Sequence, residues 1–200
     1  MSVFSPSERH PPGGTAETRR RGVFKSHWTL AMLALGLSSP VHAMVVAPAD
    51  FSEMVAASEL VVHGHVVDVR SYETAGRRTI ETQVTVQVVD AYKGAPGRTV
   101  YFRVPSGQVG RYRRVMVGAP EFSRGDEVVL FLKGRPPAVP MPFGLSQGVY
   151  RVRRGGDGSA TVRPLVYAGP GRPVRGDPAR RPLDLDAFAT RVRALVESRP

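Results

Sequence analysis

The sequence predicts a mainly β domain: a closed or partly open antiparallel barrel, with a short helix before it and a longer helix appended after it. Three observations predict it. Ile80, Val84, Val86 and Val88 alternate with Glu81, Gln83, Thr85 and Gln87, the period of a strand with one dry and one wet face. About seven short segments of this kind follow one another, punctuated by glycine and proline, with little helical spacing between them. Cysteine is absent, so core burial and sheet hydrogen bonds alone must hold the domain, and closing the sheet protects its edges.

Taken in order, Asp50–Ser58 reads as a short helix. Asp50 stands at the cap, Glu53 completes a capping-box spacing, and Phe51, Met54 and Val55 share one face. Leu60–Arg70 is a valine-rich strand with Gly64 in its middle, the mark of a bulge or bend. Thr79–Tyr92 is the clearest strand, and Ala75-Gly76 connects the two as an antiparallel hairpin. Lys93–Gly97 is a turn, Val100, Phe102 and Val104 mark the next strand, and Pro105–Gly110 is a loop. Val115-Met116-Val117 reads as a short strand. Glu127–Leu132 is apolar on both parities and so reads as a central strand buried on both faces. Pro136–Pro142 is a loop. Gln147–Arg154 and Ala160–Tyr167 form a last hairpin around Gly155-Gly156-Asp157-Gly158. Leu183–Ser198 is an amphipathic helix with an apolar stripe of Leu185, Phe188, Val192, Leu195 and Val196. Its stripe docks on the barrel, or else meets a partner or a membrane surface.

Residues 1–43 read as an export leader. Arg19-Arg20-Arg21 precede an apolar run from Trp28 to Leu37, which Ser38-Ser39-Pro40 ends, and Val41-His42-Ala43 offers a cleavage point. The run is too short to span a bilayer as a helix. Arg20-Arg21-Gly22-Val23-Phe24-Lys25 is similar to the twin-arginine pattern. The expected organisation is therefore a leader (1–43), a β-barrel domain (44–168), a Pro/Gly/Arg-rich linker (169–182) and a C-terminal helix (183–200). The expected location is the periplasm or the medium, and the mature part has no membrane-spanning segment.

The net charge is +11, and the leader carries only a small part of it. Arginine is abundant and scattered while lysine is scarce, which fits solvated strand edges. The densest basic features are Arg111-Tyr112-Arg113-Arg114 and the trio Arg151, Arg153 and Arg154. Arginine interleaved with an aromatic ring suits an acidic protein surface, an acidic glycan or a single nucleic-acid strand; export disfavours nucleic acid. The candidate binding residues are Arg111, Tyr112, Arg113, Arg114, Arg151 and Arg153.

Other chemistry is thinly represented. The absence of cysteine excludes thiol nucleophiles and cysteine-based zinc sites. His63 and His65 lie two apart on a strand and so share a face, which makes them weak candidates for metal ligands. A third ligand is missing nearby; Asp68 has the wrong parity, and Glu81 or Asp90 must reach across the sheet. Ser58, Ser71, Ser106 and Ser123 lack a Gly-x-Ser-x-Gly spacing; Gly144-Leu145-Ser146-Gln147-Gly148 has it, but on a proline-rich loop and not between a strand and a helix, so it is not read as a nucleophile elbow. Asp126-Glu127 and Asp184/Asp186 read as turn and helix-start residues. No catalytic residue and no cofactor is predicted.

The order from Phe51 to Leu132 carries a resemblance. Val61-Val62-His63-Gly64-His65-Val66 opens a strand, Tyr92-Lys93-Gly94 makes a turn, and Gly125-Asp126-Glu127-Val128-Val129-Leu130-Phe131 leads a central strand. This resembles the netrin-like module of the tissue inhibitors of metalloproteinases, and also a set of secreted bacterial proteins. The resemblance implies an oligonucleotide/oligosaccharide-binding (OB) barrel and a non-enzymatic, inhibitor-like role on another extracytoplasmic protein, a protease among the candidates. The inhibitors of that family chelate a zinc ion through an N-terminal cysteine. No cysteine stands here, so that mechanism does not carry over.

Overall fold

The computed structural model describes residues 49–75, 79–135, 137–165 and 181–198. The expected leader with its arginine pair, and residues 169–180 of the expected linker, lie outside the described residues.

Helix α1 (Phe51–Ala57) leads into β1 (Leu60–Thr74), β2 (Thr79–Lys93), β3 (Thr99–Val104), β4 (Gly107–Val109), β5 (Tyr112–Arg114), β6 (Glu127–Lys133), β7 (Met141–Pro142), β8 (Val149–Arg154), β9 (Ala160–Pro164), β10 (Leu183–Asp184) and α2 (Leu185–Glu197). The strands form two antiparallel sheets. The large one runs β10-β9-β8-β6-β1-β2-β3, with β7 also paired to β6; the small one is the β4–β5 hairpin. The result is a mainly β domain flanked by a helix at each end.

The sheet is not closed into a barrel, contrary to the closure expected from the strand count. After β6 the ladder continues to β8, β9 and β10 instead of returning to β3. A backbone bond from the Arg103 N–H to the Pro140 carbonyl, 2.9 Å, links β3 to the segment entering β7.

The two faces of the sheet bury different things. Val62, Val66, Val84, Val86, Phe102, Val128, Leu130 and Leu132 fill one face, against which Phe122 packs. On the other face Val61, Val129, Phe131 and Tyr150 meet both helices. Phe51 of α1 packs edge-on to Phe131 (5.7 Å) and to Phe188 of α2 (5.4 Å). The C-terminal helix therefore docks, with Phe188, Ala189 and Val192 buried. β6 is buried on both faces, as its unbroken apolar run implies.

Gly64 marks a bulge, as its mid-strand position predicts. His63 pairs with Asp90 and Gly64 with Val88, so β2 carries Val89 as an extra residue between them. Four local expectations need correction. Asp50 precedes α1 but its side chain makes no cap bond. Instead Lys93 reaches from β2 and donates to the last-turn carbonyls of Val55 (2.7 Å) and Ala56 (3.0 Å). The loops expected at 105–110 and 136–142 contain β4 and β7. Val115–Val117 is not a strand, because Gly118 at φ +82° turns the chain there. The C-terminal helix starts at Leu185, because the Asp184 carboxylate accepts the N–H groups of Asp186 and Ala187 and so sits outside it.

The Lys93 contact gives a first prediction. Lys93→Met removes a cation from the negative end of α1 and leaves two carbonyls without it. The expected loss is about 1 kcal/mol, with faster amide exchange at Ser58, whose N–H is held by the Met54 carbonyl. Lys133→Met, on an exposed residue, serves as the control.

Candidate functional site

The β4–β5 hairpin stands on the β1–β2 arm through a row of small hydroxyls. Ser71 Oγ and Thr82 Oγ1 are 2.9 Å apart, Thr82 donates to the Ser106 carbonyl (2.6 Å), and Ser106 donates to the Arg114 carbonyl (3.0 Å). The Gln108 N–H donates to Ser71 Oγ at 3.3 Å. Gly107 lies against this row so closely that a Cβ there would stand 2.5 Å from Thr82 Oγ1. Small polar side chains and a glycine thus let the hairpin settle on the arm, where a larger residue would lift it off.

Clefts of about 380, 730 and 630 Å³ run around the hairpin. Arg113 lines the first and second, and Thr79 and Arg114 line the second and third. Arg103 of β3 lines the third, held by Glu81 at 3.3 Å.

The six candidate binding residues divide into four kinds. Arg111 and Tyr112 are exposed and lie together, the guanidinium 5.1 Å from the ring centre and donating to the phenol oxygen at 2.9 Å. Arg113 and Arg151 converge on one loop residue: Arg113 approaches the Glu121 carboxylate at 3.4 Å, and Arg151 donates to the Glu121 carbonyl. Arg151 also pairs with Asp126 and covers the Phe122 ring at 5.3 Å, so it braces the loop that holds Phe122. Arg114 turns inward to Thr79 and the Ile80 carbonyl. Arg153 is exposed on β8. The structure thus leaves Arg111, Tyr112 and Arg113 exposed on the hairpin, links Arg113 to Arg151 through Glu121, and engages Arg114 in the hairpin's footing.

Apolar side chains are exposed in the same stretch of chain. Tyr112 is 63% exposed, Val115 67% and Val117 92%. Reading Val115–Val117 as a strand concealed this, since a strand would bury every second residue.

A second cluster lies at the margin of the helix-covered face. His63, 3% exposed, bonds through Nε2 to Glu127 Oε1 at 2.9 Å. Arg154 grips the same carboxylate with bonds of 2.9 and 2.6 Å. Burial raises the Glu127 pKa, but the Arg154 bond and then the His63 bond outweigh it, and the carboxyl titrates below its ordinary value. The His63 ring stacks on Tyr92. Burial first, and then nearby Asp90, push the Tyr92 phenol up to about 12 against the opposing pull of Arg193. Arg193 of α2 stands over that ring and pairs with Asp90 at 2.6 Å.

His65 does share the face of His63, with ring centres 6.4 Å apart. Yet the suggested third ligands are engaged elsewhere, Asp90 with Arg193 and Glu81 with Arg103. Among the described residues no three His, Asp or Glu side chains come together as a metal site. Glu127, read from sequence as a turn residue, is the partner of His63; an acidic residue opening an otherwise apolar central strand was the available signal. The serines also serve the structure. Ser58 donates to the Met54 carbonyl (2.7 Å), the Ser123 N–H bonds Asp126 (2.6 Å), and Ser146 bonds the Gly118 carbonyl (2.7 Å).

Compared with family models, with curated proteins and with solved structures, the chain gives no match.

Proposed function

We propose that this chain is an exported, non-enzymatic binding module of OB/netrin-like build, and that the β4–β5 hairpin with the segment after it docks on another extracytoplasmic protein. The observation that carries this reading is the exposure of Tyr112, Val115 and Val117 in one stretch, with Arg111 and Arg113 among them. Apolar side chains left together in water mark interaction surfaces, and tyrosine and arginine are the residues that supply most binding energy at such surfaces. The resemblance to the netrin-like inhibitors supports the same reading and keeps a protease among the partners.

The test uses the tagged full chain in its producing cell. The expected product begins near Met44, and a partner co-purifies that is lost when Arg111→Glu and Arg113→Glu are combined. The purified protein is expected to leave ester, peptide and glycoside substrates intact. Turnover abolished by a point mutation would overturn the non-enzymatic reading.

A polyanion is the second reading. It is favoured by Arg111 and Arg153, for which no carboxylate among the described residues lies within ion-pair distance. It predicts retention on heparin that falls steeply with salt and weakens when Arg111, Arg113 and Arg114 are neutralised.

A further inference from the structure

The segment after β5 is built as a rigid display. The Ala119 N–H donates to the Met116 carbonyl at 3.1 Å, closing a four-residue turn. Gly118 at φ +82° supplies the left-handed third position that such a turn requires. Val117 therefore stands at the apex, 92% exposed.

The turn is held from behind. Ser146 donates twice to the Gly118 carbonyl, from its N–H at 3.1 Å and from its Oγ at 2.7 Å. Ser146 follows Leu145, at φ +59° the single non-glycine residue in the left-handed region among the described residues. A branched side chain adopts that conformation only at a cost, and such strain gathers where it positions something. The segment is tied to the core in turn. The Gly148 N–H donates to the Phe143 carbonyl (2.8 Å), and the Phe143 N–H donates to the Phe131 carbonyl of β6 (2.8 Å). A path of short bonds thus runs from the central strand to the base of Val117.

We infer that the Met116–Ala119 turn is a preorganised plug: Val117 seats in an apolar socket on the partner protein, and carboxylates around that socket meet Arg111 and Arg113. This rests on the binding face proposed above and goes further, naming the anchor and the chemistry of its receptor. Two features select a protein socket over a lipid surface, and a third gives the chemistry of its surroundings. A braced turn has one shape, which benefits a fixed cavity and is wasted on a fluid bilayer. Valine has a single side-chain torsion, so seating it loses little entropy. Arg111, which has no carboxylate within ion-pair distance among the described residues, and Arg113, which Glu121 meets at 3.4 Å, stand in the same stretch of chain and ask for acidic counterparts.

The experiment places a photo-crosslinking residue at 117 in the full chain, expressed in the producing cell. One discrete protein adduct is expected, and none from the same probe at exposed Val89 in the β2 bulge. With that partner purified, Val117→Asp is expected to weaken binding by about 30-fold or more. Val89→Asp should leave it within about twofold, and Ser146→Ala should weaken it by roughly 3- to 10-fold without displacing the partner contacts. No adduct at 117, or equal affinity for Val117→Asp, overturns the plug. So does sedimentation with phosphatidylglycerol vesicles that is lost in Val117→Asp. If charge reversal at Arg111 and Arg113 abolishes binding while Val117→Asp does not, the plug falls and the binding face stands. If neither matters, both fall.

Discussion

Gly64→Ala destabilises the domain by about 3 kcal/mol or more and lowers its thermal midpoint by roughly 10 °C. The reason lies in the bulge. The extra residue in β2 brings the Gln87 carbonyl over Gly64, so that a Cβ would stand 2.3 Å from that oxygen and 2.7 Å from Val86 Cγ1. Neither neighbour has room to retreat. Val86 is fully buried in the core, and β1 is paired on both sides, to β2 and to β6. Relief requires shifting a strand ladder, which is why the cost lies at or above the top of the usual range for an overpacked core. Gly97→Ala is the comparison, since its nearest neighbour lies 4.0 Å away. Urea denaturation followed by far-ultraviolet circular dichroism measures both. A Gly64→Ala midpoint equal to that of Gly97→Ala would show that the bulge can open.

Glu127→Ala is expected to cost about 3 kcal/mol at neutral pH. Its carboxylate joins three strands, taking a bond from His63 of β1 and two from Arg154 of β8. Removing it leaves the His63 nitrogen buried without its acceptor, whereas Arg154 still reaches water; the loss therefore sits at the low end for a broken buried pair. The pH dependence has a definite sign. The folded-state pKa of Glu127 lies below the ordinary 4.5. Its contribution is thus fully present above the unfolded-state value and is lost as pH falls through the lower folded-state value. Thermal melts of the protein and of Glu127→Gln should differ most near about pH 7 and converge in strong acid. A gap that stays constant over that range would mean the carboxylate charge contributes nothing.

What could be read from sequence follows physical range. The β1–β2 hairpin was legible because period-2 alternation is a local property of Thr79–Tyr92, and the bulge was legible because Gly64 interrupts a valine run. The buried run of Glu127–Leu132 announced its central place in the same way. The open sheet was not legible: whether β3 returns to β6 depends on where β8 pairs, and no local pattern encodes that. The His63–Glu127 pair was missed for the same reason, since its members are 64 residues apart and only the strand register joins them. The Tyr92-Lys93-Gly94 turn carries part of the family resemblance, and the structure gives each residue a task. Tyr92 covers His63, Lys93 closes the end of α1, and Gly94 at φ +79° passes the Glu59 carbonyl with no room for a side chain. At the candidate site the basic residues were found from composition, but their exposed apolar companions were not. A turn and a strand can share the same short valine-methionine-valine run.

The ring contact between Phe51 and Phe188 sets the order in which the molecule can be completed. The two rings belong to α1 and α2, which stand on either side of the strands in the chain, so this aromatic layer stays open until Leu185–Glu197 has joined the sheet. A nascent chain cut short before Leu185 presents Phe51, Phe131 and Tyr150 to water on one side of its sheet. That face then lacks the burial that Phe188, Ala189 and Val192 supply, so the sheet depends on a segment that joins it from far along the chain.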